Sequence, residues 1–326
     1  MKGENQVTEN IPLVRLQLLA DIAQRYYLEG MSQDEIAKMV SLSRPSISRL
    51  LLEAKELGIV EIRINPPVPR VPELENRLAE KFQLREVRVV ERKTSSDEGV
   101  LQLLGHLASN IVDTVLKDGM VFGLAWGTNV HAVVQALRPR RLPNVKVVQL
   151  IGGVGAPHRD IDGPEQVRRT GEIFGAQHYY LNAPMRVDND EVAKALREDH
   201  SIKEVLELAR FTDVALIGIG SIEPQISTHF HVGYISYDEL RQLEKVGAVG
   251  AMIGYYYNIL GQPLPQPWLD SSVIGVSWED LKRFRVVIAV AYGKVKIPAI
   301  LGALRTGMLD ILVIDDVAAE GVLAMA

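Results

Sequence analysis

Met120-Val121-Phe122-Gly123-Leu124-Ala125-Trp126-Gly127-Thr128-Asn129 is the stretch on which the fold turns. It opens as an apolar run of strand length, passes through a glycine-bearing loop, and leads into a helix-like stretch at 129–137. Small residues in such a loop let backbone N–H groups approach an anion, and the helix N-terminus adds a favourable dipole. The same unit recurs on either side. Apolar runs at 87–90, 145–150, 214–219, 286–291 and 311–314 alternate with helix-like stretches at 101–116, 190–208 and 298–304. Strands that are apolar along their whole length, alternating with helices, predict a mainly parallel sheet covered on both faces, a Rossmann-like α/β domain. Ligands of such sheets bind beyond the carboxyl ends of the strands.

Three further glycine clusters follow strand-like runs. They are Gly152-Gly153-Val154-Gly155, Gly218-Ile219-Gly220-Ser221, and Gly293 ahead of Lys294 and Lys296. Any one of them also fits strand-to-helix geometry without a ligand. Four at equivalent ends of one sheet, with Lys296, point to a small phosphorylated or otherwise anionic ligand. The candidate effector-binding residues are therefore Gly127, Thr128, Asn129, Gly152, Gly153, Gly220, Ser221, Gly293 and Lys296. The P-loop pattern, the third glycine of a dinucleotide fingerprint and the G-x-S-x-G elbow are all missing from the sequence. His229-Phe230-His231 places two imidazoles on one face if extended, but a metal would need further ligands, and the expectation is a surface or ligand-lining pair with no metal. Asp315-Asp316 reads as a helix N-cap before a catalytic pair. Tyr255-Tyr256-Tyr257 reads as core and interface.

At 326 residues the chain has room for about two domains. A hydrophobic content of 47%, 24% charged residues and a net charge of −5 describe a globular chain and exclude disorder or a collagen-like fibre. With no cysteine there is no disulfide scaffold, thiolate zinc site or cysteine nucleophile. The start, MKGENQVTENIPLVR, lacks the basic end and apolar run of a signal peptide, and no apolar stretch is long enough to span a bilayer. The expectation is a cytoplasmic protein with no membrane partner.

Residues 65–72, NPPVPRVP, hold four prolines in eight positions and read as a linker. The expected domains are 1–64 and 73–326. In the first, Leu13, Leu16, Leu19, Ala20 and Ala23 share one helix face. Ser32 and Glu35 form a capping box, Ser41-Leu42-Ser43 makes a tight connection, and a helix from Arg44 to Leu57 follows before Gly58. Residues 59–64 alternate like a strand. This order is a helix-turn-helix. Its second helix would enter the major groove by its N-terminal end, with Ser43, Arg44, Pro45, Ser46, Ser48 and Arg49 as the DNA-binding residues. Ile47 belongs to the core. Residues 41–55 carry Arg44, Arg49 and Lys55 against Glu53, a local +2. Residues 1–65 balance eight basic against nine acidic side chains, so binding rests on the helix end and on several copies per assembly. The competing reading is a helical hairpin used only for packing.

The two halves together resemble the SorC family of bacterial transcriptional regulators, also called the deoxyribonucleoside-regulator type. The resemblance rests on residues 26–37, on Ser41-Leu42-Ser43-Arg44 and Ile47-Ser48-Arg49-Leu50-Leu51, and on Gly58-Ile59-Val60-Glu61-Ile62-Arg63-Ile64. In the large half it rests on Trp126-Gly127, Gly152-Gly153, Ala183-Pro184, residues 217–221, Gly247-Ala248-Val249-Gly250 and Gly293-x-x-Lys296. It implies a helix-turn-helix joined to a sugar-phosphate-sensing domain that looks like the isomerase and deaminase folds with catalysis lost. It also implies a homo-oligomer, dimer or tetramer, that binds operator DNA, usually as a repressor, under control of a phosphorylated sugar, with no cofactor. By matching position, Thr128 and Asn129 lie at the phosphate loop, Gly152 and Gly153 in the pocket and Lys296 at the ligand. Four positions depart from the family pattern. Asn129 stands for a threonine, Ala251 and Asn258 for carboxylates, and Tyr292 for a glycine. Losing two carboxylates removes acceptors for sugar hydroxyls. The alternative is a sugar-phosphate isomerase-like enzyme with an appended DNA-binding domain, which would need a general base near the pocket.

Overall fold

A computed structural model describes residues 12–60, 68–92, 96–155, 159–265 and 272–326. The chain divides into two compact units, Met1–Pro66 and Pro67–Ala326. The strand expected at 59–64 and the start of the expected 65–72 linker fall largely on residues 61–67, outside the described ones.

In the first unit three helices enclose a small core: α1 (Leu13–Tyr27), α2 (Gln33–Met39) and α3 (Arg44–Glu56). The capping box closes at α2, where Ser32 Oγ accepts from Glu35 N–H at 3.3 Å and Glu35 Oε2 from Ser32 N–H at 2.8 Å. Ser43 caps α3 by accepting from Ser46 N–H, and Pro45 sits in the first turn, where its missing N–H costs nothing. Leu19, Ile22, Ile36, Ile47, Leu51 and Ala54 are the buried contacts that hold the three helices together.

The second unit begins inside the proline-rich stretch. Val71 N–H donates to Val89 O and Glu91 N–H to Pro69 O, while Arg70 forks onto the buried Glu75 carboxylate. Residues 68–72 thus already belong to this unit, and Pro72 opens α4 (Pro72–Phe82). Then come β1 (Glu86–Val90), α5 (Asp97–Val115), β2 (Val121–Leu124), α6 (Thr128–Ala136), β3 (Lys146–Gln149), α7 (Gly163–Phe174) and β4 (Gln177–Tyr179). Next are α8 (Asp190–Glu198), α9 (His200–Arg210), β5 (Val214–Gly218), β6 (Gly220–Ser221), α10 (Thr228–His231) and α11 (Tyr237–Lys245). β7 (Ala248–Met252), β8 (Tyr255–Asn258), α12 (Trp278–Leu281), β9 (Val286–Val290), α13 (Ile297–Arg305), β10 (Ile311–Asp315) and α14 (Asp316–Met325) complete it.

Seven strands form one sheet in the order β1-β10-β9-β5-β2-β3-β4, parallel at every pairing. β9 is apolar throughout and β10 up to its last residue, Asp315, so both faces of these strands need the cover that helices give. From β2 the chain steps to β3 and β4 in one direction, then returns to β5 on the other side of β2. The carboxyl ends of β2 and β5 therefore flank the point where strand order reverses.

Two features differ from the sequence expectation. The helix expected over 190–208 is two helices, because Asp199 turns extended (ψ 132°) and its carboxylate accepts from Ser201 and Ile202 N–H, capping a new start. A second, antiparallel sheet of β6, β7 and β8 also appears, and the tyrosine run forms its last strand.

Helices α5 and α6 approach so closely that a Cβ on Gly105 would lie 2.4 Å from Ala132 O. The neighbour is backbone, so the helices must separate. Gly105→Ala is expected to destabilise the chain by about 1–3 kcal/mol, read as a lower urea midpoint with unchanged helix content. An unshifted midpoint would show that the helices part at no cost.

Candidate functional site

A cavity of about 60 Å³ lies at the strand-order reversal. The β2–α6 turn supplies Trp126, Gly127, Thr128 and Asn129, and the end of β5 with the adjoining β6 supplies Gly218 through Ser221. The antiparallel sheet closes it with Ala251, Ile253 and Gly254, α10 adds Thr228 and His229, and Lys296 enters just before α13. Of the nine effector-site residues expected from sequence, six meet here: Gly127, Thr128, Asn129, Gly220, Ser221 and Lys296.

Gly127 is the N-cap of α6 at φ 112°, a conformation that favours glycine, and it has no side chain to cap the helix. The first-turn N–H groups at Thr128, Asn129 and Val130 have no intrahelical carbonyl to bond. Asn129 is only 4% exposed, and its Nδ2 donates to Val290 O at 2.8 Å. A carbonyl only accepts, so this bond fixes which way the amide faces. Asn129 Oδ1 is left buried without a hydrogen-bond partner among the described residues.

Lys296 Nζ donates to Ile219 O at 2.8 Å, just past the end of β5. The residue keeps some exposure into the cavity, but its ammonium is desolvated, and burial lowers its pKa from 10.5 to about 8. No Asp or Glu is among the cavity-lining residues. The charge at neutral pH is therefore one cation without a carboxylate beside it. His229 packs against Tyr234 and Tyr256 with ring centroids 4.9 and 5.7 Å away, and its Nδ1 pairs with the Tyr256 hydroxyl at 2.8 Å. Burial drives its pKa to about 4, so the imidazole is neutral near pH 7.

The other expected residues lie elsewhere. Gly152 and Gly153 donate their N–H groups to Ile274 O and Ala183 O. The next two N–H groups of that loop, at Val154 and Gly155, go to the Asp162 carboxylate, which supplies the anion from within the chain. Gly153 instead lines a separate cleft with Arg186 and Tyr234. Gly293 donates to Asp315, which also caps α14 through Ala318 N–H and meets Arg92 at 3.3 Å. Asp315 is thus a cap and a brace. His229 and His231 sit on the short helix α10 rather than an extended segment, and among the described residues no cluster of His, Asp or Glu is placed to hold a metal. Ala251 lines the cavity, as its position in the sequence implies. Asn258 does not; its side chain accepts from Leu260 and Gln262 N–H and shapes the turn after β8. His229 takes the ligand-lining place that the sequence left open to it beside a surface one, whereas Ile253 was not singled out. The latter takes φ 47° in the β7–β8 turn, an unusual conformation for a β-branched residue.

In the first unit, Arg44, Pro45, Ser48 and Arg49 are exposed together on α3 while Ile47, Leu50 and Leu51 face inward. Their spacing puts them on one stripe at the helix's N-terminal half. Among the described residues Arg44 makes a long ion pair with Asp34, 3.9 Å apart. Ser43 and Ser46 are partly spent on capping, with their hydroxyls 2.8 Å apart.

A family model described as a putative sugar-binding domain matches residues 67–324. The chain is 31% identical over 299 residues to the deoxyribonucleoside regulator of Bacillus subtilis, covering 92% of this chain and 95% of that protein. It is 30% identical over 318 residues to the transcriptional regulator LsrR of an Enterobacter species, covering 97% and 95%. The full-length sorbitol operon regulator SorC of Klebsiella pneumoniae superposes with a TM-score of 0.74 at 29% identity, covering 96% of this chain and all of that one.

The desolvated ammonium has a consequence for stability. An unfolded lysine keeps its proton to about pH 10.5, the folded one to about 8. The unfolded state binds more protons between these values, so stability rises with pH across that window. Lys296→Met is expected to be more stable than the parent at pH 7, with the gap closing toward pH 10.5. Urea midpoints at pH 7 and pH 10 read this directly; a variant less stable at pH 7 would show that the ammonium's bond to Ile219 outweighs its desolvation.

Proposed function

Because the chain belongs to the family that carries this sugar-binding domain, we propose that it is a transcriptional regulator that binds operator DNA through residues 1–64. A phosphorylated sugar or related small anion is sensed by residues 73–326, across the 65–72 linker. The ligand changes DNA affinity by linkage between the two sites. The observation that carries the ligand half is the cavity at the strand reversal, where a desolvated ammonium and an uncapped helix N-terminus meet without a carboxylate. An anion supplies the charge that this arrangement lacks.

The DNA half is supported by the exposed stripe of Arg44, Pro45, Ser48 and Arg49 on α3, the second helix of a helix-turn-helix, with Ser43 and Ser46 at its cap. With a nearly neutral domain, affinity comes from paired copies, so the working form is a homo-oligomer, a dimer or tetramer, in the cytoplasm. Among the described cavity-lining residues the titratable groups are Lys296 and His229. An imidazole with a pKa of about 4 is a poor proton acceptor near neutrality and no carboxylate lines the cavity, which leaves Lys296 as the group an isomerase-like reading would need; the regulators that the chain resembles along nearly its whole length favour binding without turnover.

Arg44→Ala and Arg49→Ala are each expected to weaken binding to the upstream DNA by about 1–3 kcal/mol if they read bases. Where the arginine instead neutralises a phosphate, its removal should flatten the plot of log affinity against log salt by about one. Fluorescence anisotropy at several salt concentrations measures both, and unchanged affinity in both variants would overturn the DNA assignment.

A panel of phosphorylated sugars and polyols is expected to raise the melting temperature of the full chain, and Lys296→Ala should abolish the rise. Anion binding needs the ammonium, so affinity should hold below about pH 8 and fall as pH climbs past it. Calorimetric titration at pH 7 and pH 9 tests the sign. A full melting shift in Lys296→Ala would remove Lys296 from the site.

A further inference from the structure

We propose that Arg92 couples the cavity to the proline-rich connection, so that an anion drawing on Lys296 is felt at residues 69–71 through the junction of Arg92 with Asp315 and Asp316. This rests on the regulator reading above and names the regulation of that same site.

The connection enters the second unit as an extended piece along the outer edge of β1. Arg70 bridges Val90 antiparallel, Val71 N–H donates to Val89 O and Glu91 N–H to Pro69 O. Proline suits such an edge, since it lacks the N–H that a central strand needs. The two bonds differ in their support. Near Val71 the buried Glu75 carboxylate takes both the Arg70 fork and Val89 N–H, so that end is anchored. The bond of Glu91 to Pro69 is the one nearer to residues 1–66, and its neighbour in the chain is Arg92.

Arg92 is held at three points among the described residues. Its N–H donates to Asp316 Oδ2 at 3.0 Å, its Nη1 to Asp315 Oδ2 at 3.3 Å, and its Nη2 meets Asp97. Asp315 is fully buried, and its other oxygen accepts from Gly293 N–H at 3.0 Å. Gly293 and Lys296 are tied together, because Lys296 N–H donates to Gly293 O and closes the short turn Lys294–Lys296. Tyr292, just before Gly293, is close enough to Asp97, Arg92 and Asp315 to feel their charges, so turn and junction are neighbours. From the ammonium to the connection the path is Lys296, Gly293, Asp315, Arg92, Glu91 and Pro69, with a hydrogen bond or a peptide link at every step.

Coupling between two sites requires an element with two arrangements that both can bias. The turn supplies it. At its cavity end the ammonium bonds Ile219 O, and an anion at the first turn of α6 competes for the same protons. At its other end Gly293 N–H is one of the donors that balance a buried carboxylate. A turn drawn toward α6 withdraws that donor, and a buried charge that loses a partner leans harder on those that remain. Arg92 is the cation among them, and its backbone is next to the Glu91 bond to Pro69.

The test uses the full-length chain at constant ionic strength. Ribose 5-phosphate, fructose 6-phosphate and glycerol 3-phosphate serve as probes at about 10 mM, which loads even a weak site. Calorimetry gives probe affinity, anisotropy gives affinity for the upstream DNA with and without probe, and amide exchange follows the Val71 and Glu91 N–H groups. In the parent at least one probe is expected to change DNA affinity by about tenfold and to alter exchange at Glu91. In Arg92→Ala that probe is expected to bind as in the parent, while its effect on DNA affinity falls below about threefold. Arg92→Ala also strips a buried carboxylate of its cation, so Asp316→Ala is the milder second variant and should lose the coupling too. Asp316→Asn keeps an acceptor oxygen for Arg92 N–H and should retain it. Full coupling in folded Arg92→Ala and Asp316→Ala would overturn the proposal and leave the regulator standing. Loss of probe binding together with coupling would make Arg92 part of the ligand site and overturn its coupling role. A probe that binds the parent without changing DNA affinity, or no binding by any of the three, would overturn the ligand-controlled reading and this inference with it.

Discussion

Phe122, Gly123 and Leu124 lie against Val214, Ala215 and Leu216 in parallel register, and from that seam the sheet grows outward in opposite directions. Ala125 extends the seam by donating to Leu216 O. Gly123 permits it, since a Cβ there would meet Thr212 Oγ1 at 2.8 Å and Leu150 Cδ2 at 2.6 Å. Two adjacent parallel strands whose connections leave in opposite directions must open a crevice at their carboxyl ends. The cavity is that crevice, and the groups around it are placed by the pairing before any of them does chemistry. The β2–α6 turn leaves one side and the Gly218–Ser221 segment the other.

The electrostatics of the crevice follow from what fills it. Lys296 arrives on a loop held from behind by Asp315, which accepts from Gly293 and Ala318 N–H and meets Arg92. Asp315 is itself fully buried, so its charge is balanced at the base of the loop and not in the cavity. On the cavity side the ammonium has a single carbonyl. The second glycine loop shows the contrasting solution, because there Asp162 occupies the N–H groups of Val154, Gly155 and Gly163. One anion-ready loop is filled by the protein's own carboxylate, and at the other no Asp or Glu is among the cavity-lining residues.

Much of this was legible in the sequence, and the reasons are physical. Strands buried on both faces must be apolar along their covered length, so 286–291 and 311–314 announce a parallel sheet. Turns at strand ends need small residues, which marked Gly127, Gly220 and their neighbours. The capping box at Ser32 and Glu35 is local and was readable for that reason. What escaped was set by distant contacts. β6 is two residues, Gly220-Ser221, and carries no period to read. Between the surface and ligand-lining places open to His229, the choice is made by distant packing that brings Tyr256 to its ring. The filled loop at Gly152–Gly155 looks like the open one in sequence, since nothing nearby says that Asp162 will turn back onto it. Asp199 reads as an ordinary helical residue until its carboxylate is seen capping the next helix.

Three departures from local preference meet at the one cavity. An ammonium is held away from water without a carboxylate among the lining residues. An amide oxygen is buried without a donor. Ile253, β-branched, is turned to a positive φ where the β7–β8 hairpin closes over the site, next to Gly254 at φ 81°. Elsewhere the same unit follows the rules closely, with capped helices and strands paired in register. A chain selected only for stability would have relieved these costs with a methionine, a valine and an asparagine at the three positions. The first is the one that the anion of the proposed function would relieve, since a negative charge beside the ammonium restores what burial took away. The third is offset within the chain, since the Ile253 side chain is only 7% exposed and its burial compensates the strain in its backbone.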